Sequence, residues 1–158
     1  MIHEENTKVN IKLDKNLIFK TSLNAKKTKQ IYIDETIEKT DTPIGPDAAS
    51  LLGLGVTSCL CASFIFCLQK RDLTLDDLEA YAEISFYTTE KNFMRVKQMD
   101  IKLVPKSDDP EVIKRIDLCT REMRDGEMMF EKTCIITPSV REGFEINVDI
   151  ERKLSINK

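Results

Sequence analysis

Apolar and polar residues alternate near the start of the chain, with Val9, Ile11 and Leu13 at every second position and Leu17-Ile-Phe19 following an Asp-Lys-Asn turn. Ile31-Tyr-Ile33 is another short β-rich run, so residues 8 to 37 predict a three-stranded antiparallel unit. Glu38 to Pro46 carries two prolines and a glycine and reads as a loop leading to Asp47 as a helix N-cap. After that helix, Thr74-Leu-Asp-Asp77 has capping-box character and predicts a single turn. Alternation returns at Ala82, Ile84 and Phe86 and again at Met99, Ile101 and Leu103, predicting a hairpin around Thr88 to Asn92. A second helix is expected from Ser107-Asp-Asp-Pro110, since Ser or Asp can cap it and proline is tolerated in a first turn. Val112, Ile116, Cys119 and Met123 follow at helical spacing, and Gly126 should interrupt. A closing strand is predicted from Phe144 to Ile150, with Phe144, Ile146, Val148 and Ile150 on one face.

The first helix has no charged residue from Ala48 to Leu68. At the usual rise that is about 31 Å, long enough to span a bilayer. Against a membrane span stand Ser50, Thr57, Ser58, Ser63, two glycines, the flanking Asp47 and amphipathic strands on both sides. A helix apolar all round can equally be a buried central helix, and no membrane partner is expected. The order β-β-β-α-β-β-α-β is an α+β arrangement in which this helix must be covered on more than one side. A single chain of this size covers it poorly, so dimerisation around the helix is the natural expectation.

With 158 residues, 41% apolar and 32% charged, the chain is expected to form one globular domain over residues 1–158. Its parts are N-terminal strands in 1–37, a central helix in 47–70, a hairpin in 80–104, a second helical region in 110–133 and a final strand in 144–153. The net charge of -3, with lysines spread among carboxylates, offers no surface for tracking phosphates, and Lys26, Lys27 and Lys29 read as a solvated turn. No nucleic-acid partner is expected. The N-terminus has early acids and no apolar core of a secretory signal, so the default compartment is the cytoplasm. The single histidine, His3, lies in a terminus expected to fray, which leaves a Ser-His-Asp or Cys-His mechanism without a base. There is no C-x-x-C pair for zinc, and Gly53-Leu-Gly55 lacks the lysine and strand context of a phosphate loop. Neither a metal nor a cofactor is expected.

The remaining chemistry lies in five cysteines, at 59, 61, 67, 119 and 134. An odd number at irregular spacing does not look like a secreted disulfide framework, and these thiols are expected to be mostly reduced. Cys59 sits deep in the apolar helix and Cys134 lies far downstream. Brought together by the fold, such a pair can cycle between dithiol and disulfide, whereas either alone would pass as core filler. On a helix, Cys59 shares a face with Gly55, Val56, Ala62, Ser63 and Phe66, where small side chains leave room beside the sulfur. Cys61 points nearly opposite, and Cys61 and Cys67 are assigned to packing; Cys119 is read as core.

Gly45-Pro-Asp-Ala-Ala-Ser-Leu-Leu-Gly-Leu-Gly-Val-Thr-Ser-Cys59-Leu resembles the segment of the OsmC and organic-hydroperoxide-resistance (Ohr) family that ends in its reactive cysteine. Cys134-Ile-Ile-Thr-Pro-Ser-Val-Arg-Glu-Gly143-Phe-Glu-Ile resembles that family's second-cysteine motif, and the order of elements agrees across nearly the whole chain. The resemblance implies an OsmC-like fold, an intertwined homodimer with two helices at its centre, and active sites at the subunit interface. It also implies a thiol peroxidase. Cys59 would attack an organic hydroperoxide, releasing an alcohol and leaving a sulfenic acid, and Cys134 would condense with it to a disulfide that an external dithiol reduces.

The chain departs from the family pattern at three places. Ala49 and Ser50 stand where the family has a glutamate, and the arginine that glutamate holds has no counterpart, since the first arginine is Arg71. Lys12, Lys15 and Lys20 are candidate substitutes, although a lysine cannot reproduce the forked contact. The stretch Met123 to Thr133 is longer than the family pattern, and Ile135 replaces its proline. An alternative is therefore a non-enzymatic relative that binds a small apolar ligand or keeps only the dimer.

Overall fold

The first two strands reverse at Asn16, which adopts a left-handed conformation (φ 48°) that asparagine tolerates well. The computed structural model describes residues 7, 9–23, 27, 30–36 and 43–151. His3, Lys26, Lys29, positions 38–42 of the expected loop and positions 152–153 of the expected final strand lie outside them. The chain divides into two compact units, Met1–Ser58 with Leu78–Pro105, and Cys59–Asp77 with Lys106–Lys158.

In the first unit β1 (Asn10–Lys15), β2 (Ile18–Ser22) and β3 (Gln30–Asp34) form an antiparallel sheet in sequence order. Leu13 lies opposite Phe19, and Thr21 opposite Ile31. The helix α1 (Ala48–Gln69) starts where two carboxylates meet free backbone N–H groups. Asp47 accepts from the Ser50 amide at 2.7 Å and Glu35 accepts from the Ala48 amide at 2.6 Å. Asp47 thus caps the helix as its side-chain type predicts. Gly45 precedes it because a Cβ there would lie 2.0 Å from the Tyr32 carbonyl oxygen. The long hairpin is β4 (Asp77–Thr88) and β5 (Met94–Lys106), with Asn92 at φ 61° in its tip. Contrary to expectation, Thr74 to Asp77 forms no helical turn, and β4 begins at Asp77. A Cβ at Gly53 would approach Ile84 Cδ1 to 2.9 Å, so the glycine lets α1 lie close against β4.

The second unit holds the C-terminal half of α1, α2 (Pro110–Cys119), the 3-10 turn Met129–Thr133 and α3 (Ile136–Glu142). Asp109 caps α2 by accepting from the Glu111 amide at 2.8 Å. The expected helical stretch does not continue to Met123. Thr120 turns its hydroxyl back onto the Ile116 carbonyl at 3.0 Å, and the chain reverses through Gly126 (φ 82°) with Glu122 bridged to Met128. Helix α3 was not anticipated, and its Pro138 falls in the first turn, where no amide is needed.

The apolar helix α1 is long and apolar enough to cross a membrane by length and composition. It is a core helix: Val56, Leu60, Phe64, Cys67 and Leu68 are buried at helical spacing. The opposite stripe, including Leu54 and Phe66, is exposed. Residues 143–151 form no regular element, where a strand at 144–153 was expected, and Phe144, Ile146, Val148 and Ile150 are exposed.

Candidate functional site

Cys59 opens the half of α1 that belongs to the second unit, and Cys134 follows the 3-10 turn directly. Their sulfurs lie 3.0 Å apart, across a sequence separation of 75 residues. A disulfide bond is about 2.05 Å long, so bonding requires an approach of about 1 Å. Cys134 is buried and Cys59 partly exposed, so Cys59 is the more accessible sulfur.

Three contacts hold the pair. The Ser63 and Thr133 hydroxyls are 3.1 Å apart, joining α1 one turn beyond Cys59 to the residue before Cys134. Phe64 and Phe130 meet edge to face with centroids 5.3 Å apart, a geometry favoured by the ring quadrupoles. The Cys134 amide donates to the Glu131 carbonyl at 2.9 Å, closing the 3-10 turn on the cysteine.

Cys134 Sγ also receives Thr137, whose hydroxyl is at 3.1 Å and whose amide donates at 3.3 Å. Burial pushes the Cys134 thiol up. Hydrogen bonding with the Thr137 hydroxyl, with Cys59 and with the amides of Thr137 and Ile136 outweighs it, and the thiol ends below its usual range. At Cys61 burial outweighs a backbone hydrogen bond, and the thiol is pushed up. No cation is hydrogen-bonded to either sulfur among the described residues. Arg141 pairs with Glu127 at 3.0 Å and Glu131 at 3.2 Å, while Lys132 pairs with Asp125 and with Glu127 at 3.1 Å. Of the three lysines considered as substitutes, Lys20 is held by Asp14 at 2.6 Å, and Lys12 and Lys15 are exposed.

Cys67 and Cys119 correct the sequence reading. They form a disulfide joining the last turns of α1 and α2, rather than serving as separate packing and core thiols. Both are buried, and Arg115 of α2 donates from Nη2 to the Cys67 carbonyl at 3.0 Å. No spacing signal marked this bridge. Thr137, Ser63 and Thr133 were also missed, although Cys134-x-x-Thr137 places a hydroxyl and an amide within reach of a sulfur ahead of a helix. No group of three or more potential metal ligands occurs among the described residues.

No family model matches the chain, and no curated protein does. Solved structures do match over most of its length. An OsmC-like protein from Mycoplasma pneumoniae aligns with a TM-score of 0.61 at 13% identity, covering 88% of this chain and 89% of that one. The fold is OsmC-like. An OsmC-like protein of unknown function from Vibrio cholerae gives a TM-score of 0.61 at 10% identity, over 86% of this chain and 94% of that one. A Legionella pneumophila protein described as an organic hydroperoxide resistance protein OsmC, predicted redox protein, gives 0.59 at 9%, over 87% and 92%. At such identities the likeness concerns the OsmC-like fold, and the chemistry of this chain rests on its own cysteines.

Proposed function

We propose that this chain is a thiol peroxidase that reduces organic hydroperoxides through Cys59, with Cys134 as the resolving cysteine. The observation that carries this reading is the 3.0 Å approach of the two sulfurs. Cys59 takes the terminal peroxide oxygen, the O–O bond breaks, and an alcohol leaves. Cys134 then displaces hydroxide from the Cys59 sulfenic acid, which becomes water on protonation, and the disulfide forms before further oxidation can occur. An external dithiol returns both sulfurs to thiols by exchange. The resemblance implies a homodimer, and the N-terminal composition supports a cytoplasmic chain of one domain per copy. Three exposed apolar surfaces support a second copy: Val9, Ile11 and Leu13 near β1, Leu54 and Phe66 on α1, and the alternating row from Phe144 to Ile150.

The test is intact-mass analysis of reduced protein after a stoichiometric pulse of cumene hydroperoxide. Rapid loss of two hydrogens in the wild type, absent in Cys59→Ser and Cys134→Ser, is expected. Oxidation indifferent to Cys59 would overturn the reading.

A second reading, an OsmC-like protein that binds a small apolar ligand without turning it over, has one observation of its own. A cavity of about 450 Å³ in the first unit is lined by Leu54, Ile84 and Phe86, with Asp47 and Ser50 at its polar side. Retention of such a ligand by protein inert to hydroperoxide would favour it.

A further inference from the structure

The two sulfurs of the pair are not equivalent in their surroundings. Cys134 Sγ receives the Thr137 amide at 3.3 Å and lies 3.1 Å from the Thr137 hydroxyl, and it shares a hydrogen bond with Cys59 Sγ at 3.0 Å. Cys59 Sγ has a hydrogen-bond partner only in Cys134 among the described residues. A thiolate is stabilised by each donor that converges on it, so a proton shared between two sulfurs rests on the one with fewer outside donors.

We propose that the resting pair holds its negative charge on Cys134, with Cys59 as the protonated partner and Thr137 as the residue that positions the charge. This deepens the peroxidase reading and rests on it for its consequence, because it places the proton acceptor for Cys59 inside the pair. As Cys59 attacks the hydroperoxide, its S–O bond forms and the O–O bond breaks. The Cys59 proton passes to Cys134 and from there to the departing alkoxide, which leaves as the alcohol. Cys134, again a thiolate, attacks the sulfenic sulfur and expels hydroxide, which the buffer protonates to water. Two electrons leave the sulfurs and two enter the peroxide. A base 3.0 Å from the attacking sulfur does the work for which an adjacent cation would otherwise be needed.

The charged groups around Cys134 leave this arrangement undisturbed. On the 3-10 turn Glu131 is paired with Arg141 and Lys132 with Asp125 and Glu127. On α3, Arg141 is the partner of Glu127 and Glu131. On α1 the titratable group that faces Cys134 is Cys59, while Cys61 points nearly opposite along the helix and burial raises its thiol. The low thiol range of Cys134 follows from the same donors.

The test needs no hydroperoxide, so it fails or succeeds separately from the peroxidase reading. In a Cys61→Ala background with Cys67 and Cys119 bridged, thiolate absorbance at 240 nm is titrated from pH 4 to 10. One ionisation below the ordinary thiol range is expected, lost in Cys134→Ser and retained, displaced upward, in Cys59→Ala. Thr137→Val should raise its midpoint by about 1 pH unit, the worth of a hydrogen bond to a charged group, and Thr137→Ser should restore it. A low step that survives Cys134→Ser and disappears in Cys59→Ala would overturn the proposal. So would a midpoint that Thr137→Val leaves unmoved in a variant whose far-UV spectrum is native.

Discussion

Ser63 and Thr133 share a hydrogen bond of 3.1 Å that ties the turn of α1 carrying Cys59 to the residue preceding Cys134. Ser63 is buried, and Thr133 also donates to the Phe130 carbonyl at 3.0 Å. The bond therefore fixes the register between helix and 3-10 turn, on which the sulfur separation depends. Ser63→Ala should cost about 1 kcal/mol of stability, the net worth of a typical intramolecular hydrogen bond. It should slow closure of the Cys59 to Cys134 disulfide more than the first oxidation of Cys59. Urea denaturation and stopped-flow mass analysis after a hydroperoxide pulse separate the two effects.

The disulfide between Cys67 and Cys119 closes a loop of sequence separation 52. In the chain-entropy treatment a loop of that length is worth about 4 kcal/mol, through its restriction of the unfolded chain. Cys119→Ser should lower the melting temperature accordingly and leave the first oxidation of Cys59 in place. Thiol counting on unreduced, denatured protein should find Cys61 unpaired in both wild type and variant.

Much of this arrangement was legible in the sequence, and what was not has identifiable causes. The strands around Ile11, Phe19 and Ile33 follow from alternation, and the start of α1 from Asp47, because each signal is local. Cys59 and Cys134 were singled out by resemblance of their surroundings, not by spacing. The Cys67 to Cys119 bridge was illegible because the two residues end different helices, and only the packing of those helices brings them together. The end of α2 was misplaced because Met123 continues the apolar period, while Thr120 bonds its hydroxyl back to Ile116 and the helix stops. The row Phe144 to Ile150 reads as a strand, yet a strand exists only where a neighbouring edge accepts its hydrogen bonds.

Asp34 gives a pH-dependent prediction at the other unit. Its carboxylate accepts from the Thr36 hydroxyl at 2.7 Å, the Thr36 amide at 3.1 Å and the Ile44 amide at 3.1 Å, and these bonds, led by the hydroxyl, hold it below the usual carboxylate range. A depressed folded value means stability that is present above the unfolded value of about 3.9 and is lost as pH falls through the folded one. Asp34→Asn should be less stable than wild type at pH 7, and the difference should shrink as pH falls below about 3.9. Thermal melts at a series of pH values check this; a gap constant with pH would show that shape, not charge, matters at Asp34.

The exposed row at the C-terminus leads to a test of assembly. Phe144, Ile146, Val148 and Ile150 are 66%, 74%, 82% and 87% exposed in the single chain, and full burial of such side chains is worth about 1.5 to 3 kcal/mol each. The row alternates with Glu145, Asn147 and Asp149, so pairing with a sheet edge would bury one face and keep the acids in water. Light scattering should therefore find the full chain dimeric at micromolar concentration, and a chain ending at Gly143 should shift toward monomer. Ile146→Asp with Val148→Asp should do the same without shortening the backbone, because each charge would otherwise be buried unpaired. If both variants remain dimeric with unchanged dissociation, the contact lies elsewhere, with the outer stripe of α1 at Leu54 and Phe66 as the next surface to alter.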